Sequence, residues 1–203
     1  IKYFDIVARL GLLPDLVVLN VSIRALKYNG DNCLEKGISN LEFHLKNMHF
    51  FSSNLLVVLN QFEEDTKEEI EYLKNYVENL GYSFSICNSY KEGSMGSTEF
   101  ASKVLDCINQ ENKINYLYNL DDSLDFKIEK MLKHLGASNI YYTDEALKKI
   151  ENLKQVKYPI CIAKTPNSIS DDEKKLGYPK DYTVTVKDIK LCNGAQFIVV
   201  YLG

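Results

Sequence analysis

The sequence predicts an α/β fold in which a mostly parallel sheet is covered by helices on both faces. Three observations support this prediction. Aliphatic segments of strand length alternate with segments whose apolar residues recur at spacings of three and four. The aliphatic segments are nearly continuous, which is typical of parallel strands buried on both faces. The chain has 203 residues, of which 45% are apolar, so it can bury a sizeable core.

Predicted strands and helices alternate through the first half of the chain. The strands lie at residues 15–23, 55–59 and 83–87. We expect them to be buried, parallel neighbours in one sheet. Helices are predicted at residues 37–49, between Thr66 and Gly81, and at 97–108. Thr66 is the expected N-cap of the second helix, and Glu69 completes a capping box with it.

The second half continues with two predicted helices and three predicted strands. The helices lie at residues 123–135 and 143–154, and the strands at 158–163, 182–192 and 197–202. We expect these strands to form a sheet segment that continues the fold, so that residues 1–203 form one α/β region; a division near residue 140 is left open. Because the chain begins at Ile1 within a segment that looks structural, we expect it to be a fragment of a longer protein.

Composition and charge exclude several classes of function. With 24 basic and 28 acidic residues, the formal net charge is -4, which argues against nucleic acid as the main partner. No apolar run is long enough for a membrane span. The five cysteines are scattered singly and predict free thiols rather than a zinc site. We expect a cytoplasmic protein, with a mitochondrial location and a homo-oligomeric state left open.

Loops that follow the predicted strands supply the candidate binding residues, because ligands of open parallel sheets lie at the carboxyl ends of the strands. The amide of Asn60 can recognise a heterocycle, and the ring of Phe62 can stack on it. Alternatively, Asn60 forms a turn and Phe62 packs on a helix. The next loop carries Lys91, Gly93 and Gly96 before a helix and suits an anionic group, although such loops are common.

A third loop, residues 163–179, is long for a purely structural connection. It leaves a strand at Lys164 and Thr165 and continues through Ser168, Ser170 and Asp171. Alternatively, Ser170 or Asp171 caps a short helical turn and the lysines are solvated. The sequence identifies neither a catalytic residue nor a metal site. The histidines, which we expect to be surface or packing residues of helices, are His44, His49 and His134.

Five stretches together resemble the formate–tetrahydrofolate ligases. They are "FDIVARLGLLPDLVVLNVSIRALKYNG" (4–30), "VVLNQFEEDT" (57–66), "YKEGSMGS" (90–97), "CIAKTPNSISDDEKKLGYP" (161–179) and "TVTVKDIKLCNGAQFIVV" (183–200). The resemblance covers essentially the whole chain, and its most specific part is the Pro-Asp strand followed by Arg-Ala-Leu-Lys.

The resemblance implies an ATP-dependent ligase that makes 10-formyltetrahydrofolate from formate and tetrahydrofolate through formyl phosphate. It implies ATP, with Mg, and tetrahydrofolate as substrates, no tightly bound cofactor, and a fold like that of P-loop nucleotide-binding proteins. No G-x-x-x-x-G-K-[ST] phosphate loop occurs here, so we expect that loop upstream and the fragment alone to be inactive. The residues that match the family's binding loops are Arg24, Lys27, Asn60, Phe62, Tyr90, Lys91, Gly93, Gly96, Lys164, Thr165, Ser168, Ser170 and Asp171.

Several residues depart from the pattern of the family that the sequence resembles. Glu63 stands where those ligases usually have proline, and Ser89 or Tyr90 stands where they have tryptophan. Residues 166–167 and Tyr178 also differ, and the lysine loop has fewer glycines. These departures leave open a second hypothesis, in which the protein is a catalytically degenerate relative that binds folate, nucleotide or a protein partner.

Overall fold

The structure, a computed structural model that describes residues 1–203, contains two separate sheets. The sheets belong to two units, one formed by Pro14–Asn115 and the other by Ile1–Leu13 together with Tyr116–Gly203. The strands that follow residue 136 form the second of these sheets. Those strands pair among themselves. None of the helices combines the length and the apolar character needed to cross a membrane.

The Pro14–Asn115 unit has a three-stranded parallel sheet. Its elements are β1 (Val17–Val21), α1 (Ile23–Asn29), α2 (Leu34–Phe51), β2 (Leu55–Asn60), α3 (Lys67–Asn79), β3 (Ser83–Cys87), α4 (Ser89–Glu92) and α5 (Thr98–Ile108), with a 3-10 turn at Met95–Ser97. The strand order is β1-β2-β3, and both pairings are parallel. The predicted arrangement of the first three strands is thus confirmed.

The central strand β2 separates two layers of helices. Val57 and Leu59 point into a core cluster shared with residues of α1, α2 and α3. Leu56 and Val58 point to the opposite face, as the two-residue period of a strand requires, and are also buried. On that face α5 packs against β2 and β3. The prediction of helices on both faces therefore holds for this sheet.

Two local predictions have different outcomes. The capping box at the start of α3 is confirmed: the Thr66 hydroxyl accepts the Glu69 N–H at 3.2 Å, and the Glu69 carboxylate accepts the Thr66 N–H at 3.2 Å. The prediction that the first strand is buried on both faces is wrong, because Val18 is 39% exposed. The reason is that β1 is an edge strand, whereas α5 packs against β2 and β3.

The other unit has a mixed four-stranded sheet. Its elements are α6 (Leu124–His134), β4 (Ala137–Tyr142), α7 (Asp144–Asn152), β5 (Ile160–Ala163), β6 (Tyr182–Cys192) and β7 (Phe197–Leu202), with short turns of helix at Tyr3–Val7, Ala8–Leu10 and Asn193–Ala195. The strand order is β4-β6-β7-β5. The β4–β6 and β5–β7 pairs are parallel, and β6 and β7 are antiparallel.

Arg9 joins the two chain segments of this unit. Its guanidinium lies 4.3 Å from the ring centroid of Tyr116 and 5.1 Å from that of Tyr118. It also forms an ion pair with the fully buried Asp5 at 3.5 Å. Burial raises the pKa of the Asp5 carboxyl, while the nearby Arg9 lowers it. These contacts fix residues 1–13 to the segment that enters α6.

Lys127 is a buried cation of α6 in the same unit. Its side chain is 1% exposed, and its ammonium donates to the carbonyl oxygens of Leu120 at 2.6 Å and Tyr158 at 3.1 Å. Burial, assisted by the positive charge of Lys157, lowers the pKa of Lys127 from 10.5 to about 8. The folded protein therefore releases this proton at a lower pH than the unfolded chain does.

Lys127 should make the folded state more stable as the pH rises above 8. Between the folded pKa of about 8 and the unfolded value of 10.5, the unfolded chain binds more protons, so the free energy of unfolding increases with pH. We expect the stability of the wild type relative to Lys127→Met to rise by about 2 kcal/mol between pH 7 and 9.5. Urea unfolding across that range measures it, with the exposed Lys148→Met as control. A difference in the free energy of unfolding that does not change with pH would contradict the prediction.

Candidate functional site

The carboxyl ends of β1 and β2 border a cavity of about 270 Å³. Parallel strands bring these ends to one edge of the sheet, where ligands of open α/β sheets bind. The apolar residues that line the cavity include Leu19, Val21 and Leu26. The polar and aromatic residues that line it are Asn20, Ser22, Asn40, His44, Asn60 and Phe62. This mixture suits a flat ligand that carries hydrogen-bonding groups.

The loop after β2 has a defined turn that presents Phe62. The Gln61 N–H donates to the Cys87 carbonyl at 3.0 Å, so pairing with β3 extends beyond Asn60. The Phe62 N–H then donates to the Asp65 carboxylate at 2.8 Å, and the Asp65 N–H donates back to the Phe62 carbonyl at 3.2 Å. Phe62 is half-buried and lies outside the core cluster of this unit. The abrupt end of the strand therefore places an amide and a ring beside the cavity.

Arg24 stacks on the ring of Phe62. Its guanidinium carbon lies 4.2 Å from the ring centroid, which is within the range of a cation–π contact. Arg24 also lines a second cavity, of about 350 Å³, together with Ile23, Lys27, Glu64 and Asp65. Lys27, however, is paired with the carboxylate of Glu69. The helix α1, which follows β1, and the loop that leaves β2 thus meet through the contact of Arg24 with Phe62.

The glycine-bearing loop after β3 closes on itself. The Asn88 N–H donates to the Gly96 carbonyl at 2.9 Å, and a Cβ at Gly96 would lie 2.3 Å from the Asn88 carbonyl oxygen. Gly93 has a φ of +59°, which side chains disfavour. Both glycines are therefore explained by the shape of the loop. An anion-binding role for them stays a prediction.

Two side chains of this loop face solvent. Tyr90 is 94% exposed. The Lys91 ammonium forms an ion pair at 3.2 Å with Glu63, the residue that follows Phe62. Both partners are largely exposed, so the pair contributes little to stability. It nevertheless links the loop after β3 to the loop after β2.

Cys87, which ends β3, is the neighbour of Asn60 in the sheet. Its thiol lies 3.5 Å from the Ser97 hydroxyl. Hydrogen bonds from Ser97 and Ser89 lower the pKa of this thiol. The sequence predicts Cys87 only as one of five free thiols, and all five cysteines are free in the structure. No group of three or more histidine, cysteine or acidic side chains is placed to hold a metal ion.

The remaining candidates lie in the other unit and bond within their own loop or to the neighbouring strand β6. The Lys164 ammonium donates to the carbonyl oxygens of Thr165, at 3.1 Å, and of Ser168, and burial lowers the pKa of Lys164. The buried hydroxyls of Ser168 and Ser170 are 3.0 Å apart. The Asp171 carboxylate accepts the Thr185 N–H at 3.4 Å. These hydrogen bonds hold the loop in its fold, which is a structural reason for the polar residues at these positions.

Comparison with known proteins supplies the family. Residues 1–203 match the sequence profile described as "Formate--tetrahydrofolate ligase". The chain belongs to the formate–tetrahydrofolate ligase family. It is 41% identical over 218 aligned positions to the "Formate--tetrahydrofolate ligase" of Petrotoga mobilis (strain DSM 10674 / SJ95), and the match covers 100% of the chain and 39% of that relative. The stated resemblance is thereby confirmed.

Two further relatives give the same result. Proteins named "Formate--tetrahydrofolate ligase" from Campylobacter concisus (strain 13826) and Caldicellulosiruptor saccharolyticus (strain ATCC 43494 / DSM 8903 / Tp8T 6331) are 40% and 36% identical to the chain. Each match covers 100% of the chain and 40% of the relative. The chain therefore spans about two fifths of the length of the curated relatives that it matches.

In this member of the formate–tetrahydrofolate ligase family, the structure gathers some of the candidate residues. Asn60 and Phe62 line one cavity, and Arg24 and Lys27 line the adjoining loop region. Four cavity residues were missed as candidates: Asn20, Ser22, Asn40 and His44. The expectation that His44 is only a surface or packing residue is therefore incomplete. Asn20 carried a usable signal, because it is a polar residue at the carboxyl end of an aliphatic strand.

Proposed function

We propose that the chain is part of a formate–tetrahydrofolate ligase that makes 10-formyltetrahydrofolate from formate, MgATP and tetrahydrofolate. The observation that carries this proposal is the match of the whole chain to that family, at 36–41% identity to three relatives of that name. In the proposed reaction, formate attacks the terminal phosphorus of ATP and ADP leaves. N10 of tetrahydrofolate then attacks the carbon of formyl phosphate, phosphate leaves, and N10 loses its proton.

The cavity at the carboxyl edge of the β1-β2-β3 sheet is the proposed site for the flat ring of a substrate. Phe62 offers a stacking surface, and the Asn60 amide can both donate and accept hydrogen bonds. The relatives are about two and a half times as long as this chain. We assign the phosphate loop and the groups that handle formyl phosphate to sequence outside these 203 residues, within a fold of the P-loop type.

An assay separates the activity of these residues from that of the full-length protein. Purified residues 1–203, incubated with formate, MgATP and tetrahydrofolate, should give no 10-formyltetrahydrofolate above background, because no phosphate loop is present in their sequence. The full-length protein should form the product in amounts equal to the ADP released. Product from the fragment would show that the catalytic groups lie within it. Absence of product from the full-length protein would contradict the proposed ligase activity.

One observation favours a second candidate, a relative that binds ligand without turnover. Glu63, which stands where the ligases usually have proline, pairs with the loop lysine Lys91 at 3.2 Å. An acidic partner competes with a phosphate group for that ammonium. If this candidate is correct, the full-length protein binds tetrahydrofolate in calorimetry but releases no ADP, and Glu63→Gln strengthens MgATP binding.

A further inference from the structure

Arg24 and Phe62, which contact each other, line two different cavities. Phe62 lines the cavity of about 270 Å³ at the ends of β1 and β2, whereas Arg24 lines the cavity of about 350 Å³ beside the loop of Glu64 and Asp65. The guanidinium lies over the ring at 4.2 Å from its centroid. One face of the ring is therefore covered by Arg24, and the ring still borders the first cavity.

The surroundings of Arg24 leave the ring as its principal contact. The two neighbouring lysines have carboxylate partners, Lys27 with Glu69 and Lys91 with Glu63, but Arg24 forms no ion pair. The nearby Asp65 carboxylate accepts the N–H of Phe62 instead. A planar guanidinium matches an aromatic face better than an ammonium group does. Its position therefore suits stacking on the ring.

Two elements fix the place from which Arg24 reaches the ring. Arg24 is the second residue of α1, whose N-cap Ser22 accepts the Ala25 N–H at 3.2 Å. The adjacent Ile23 is 1% exposed and belongs to the core cluster. On the other side, the turn between Phe62 and Asp65 holds the backbone that carries the ring. Both ends of the contact are anchored by backbone structure.

We infer that Arg24 is a positioning residue that holds the Phe62 ring, so that its free side is presented to a flat substrate ring in the cavity beside Asn60. The inference rests on the proposed function, because it concerns how the proposed substrate site is ordered before the ligand binds. A ring that is already ordered loses less conformational freedom when it stacks, and the ligand binds more tightly for that reason. Arg24 itself does not touch the substrate.

Fluorine NMR tests the positioning without any ligand. The full-length protein carries 4-fluorophenylalanine at position 62, in the wild-type background, with Arg24→Met and with Lys36→Met. Lys36 is exposed on α2 and serves as the control for the loss of a positive charge. We expect the fluorine signal to move towards the value of the free amino acid in Arg24→Met only. An unchanged signal in Arg24→Met would overturn the inference.

A double-mutant cycle tests the consequence for binding. The dissociation constants for tetrahydrofolate and MgATP are measured for the wild type, Arg24→Met, Phe62→Leu and the double variant. We expect Arg24→Met to weaken tetrahydrofolate binding about fivefold in the wild type and not at all in Phe62→Leu, with MgATP binding unchanged. Equal losses in both backgrounds, or a loss for MgATP alone, would mean that Arg24 binds a ligand directly. If the wild type binds no tetrahydrofolate, the proposed function fails, and the fluorine signal alone decides the positioning role.

Discussion

Gly37→Ala is expected to destabilise the Pro14–Asn115 unit by about 3 kcal/mol or more, although alanine is normally the better residue in a helix by about 1 kcal/mol. Gly37 lies in α2 where α1 crosses it. A Cβ at this position would be 1.9 Å from the carbonyl oxygen of Leu26 and 2.5 Å from its carbonyl carbon. These are backbone atoms, which cannot rotate away as a side chain can. The two helices must therefore separate.

The separation should reach the core and the candidate site. Leu26, Leu34 and Ile38 all belong to the core cluster next to this crossing, and each would lose contacts. Urea unfolding measures the change in the free energy of unfolding. Gly194→Ala is the control, because no heavy atom lies within 4 Å of a Cβ there. A stability of Gly37→Ala equal to that of the control would show that α1 and α2 do not approach as closely as described.

The first sheet could be predicted because its signals are local. Three aliphatic runs and the capping box at Thr66 are fixed by neighbouring residues, and the structure agrees with them. The helix α1 was not predicted. Ile23 is β-branched and continues the aliphatic run, so the sequence pattern extends the predicted strand through it. What ends the strand is the Ser22 cap together with the close packing of Leu26 against Gly37.

The second sheet shows which information the local pattern lacks. The alternation of β6 predicts a strand but does not say which strands it pairs with, and β6 pairs parallel to β4 and antiparallel to β7. β4 itself begins Ala-Ser-Asn, which is a weak strand signal. Likewise, Asn60 and Phe62 could be proposed from their place after a strand. His44 could not, because only the packing of α2 brings it to the same cavity.

Phe62→Ala is expected to weaken tetrahydrofolate binding by the full-length protein about tenfold to a hundredfold, equivalent to roughly 1 to 3 kcal/mol by analogy with stacking of bases on aromatic side chains. The ring is half-buried beside the cavity and outside the core cluster, so its loss should cost little stability. A buried core phenylalanine would instead cost about 3 to 5 kcal/mol on truncation to alanine. The two roles therefore predict different measurements.

Phe62→Tyr is the matched control, because it keeps the aromatic face on which a ligand ring and the Arg24 guanidinium can stack. Calorimetric dissociation constants for tetrahydrofolate and the free energy of unfolding in urea are needed for both variants. We expect Phe62→Tyr to bind within a few-fold of the wild type and Phe62→Ala to lose affinity while remaining folded. Unchanged affinity in the folded fraction of Phe62→Ala, together with a large loss of stability, would rule out stacking. The turn between Phe62 and Asp65 would then serve only to end the strand.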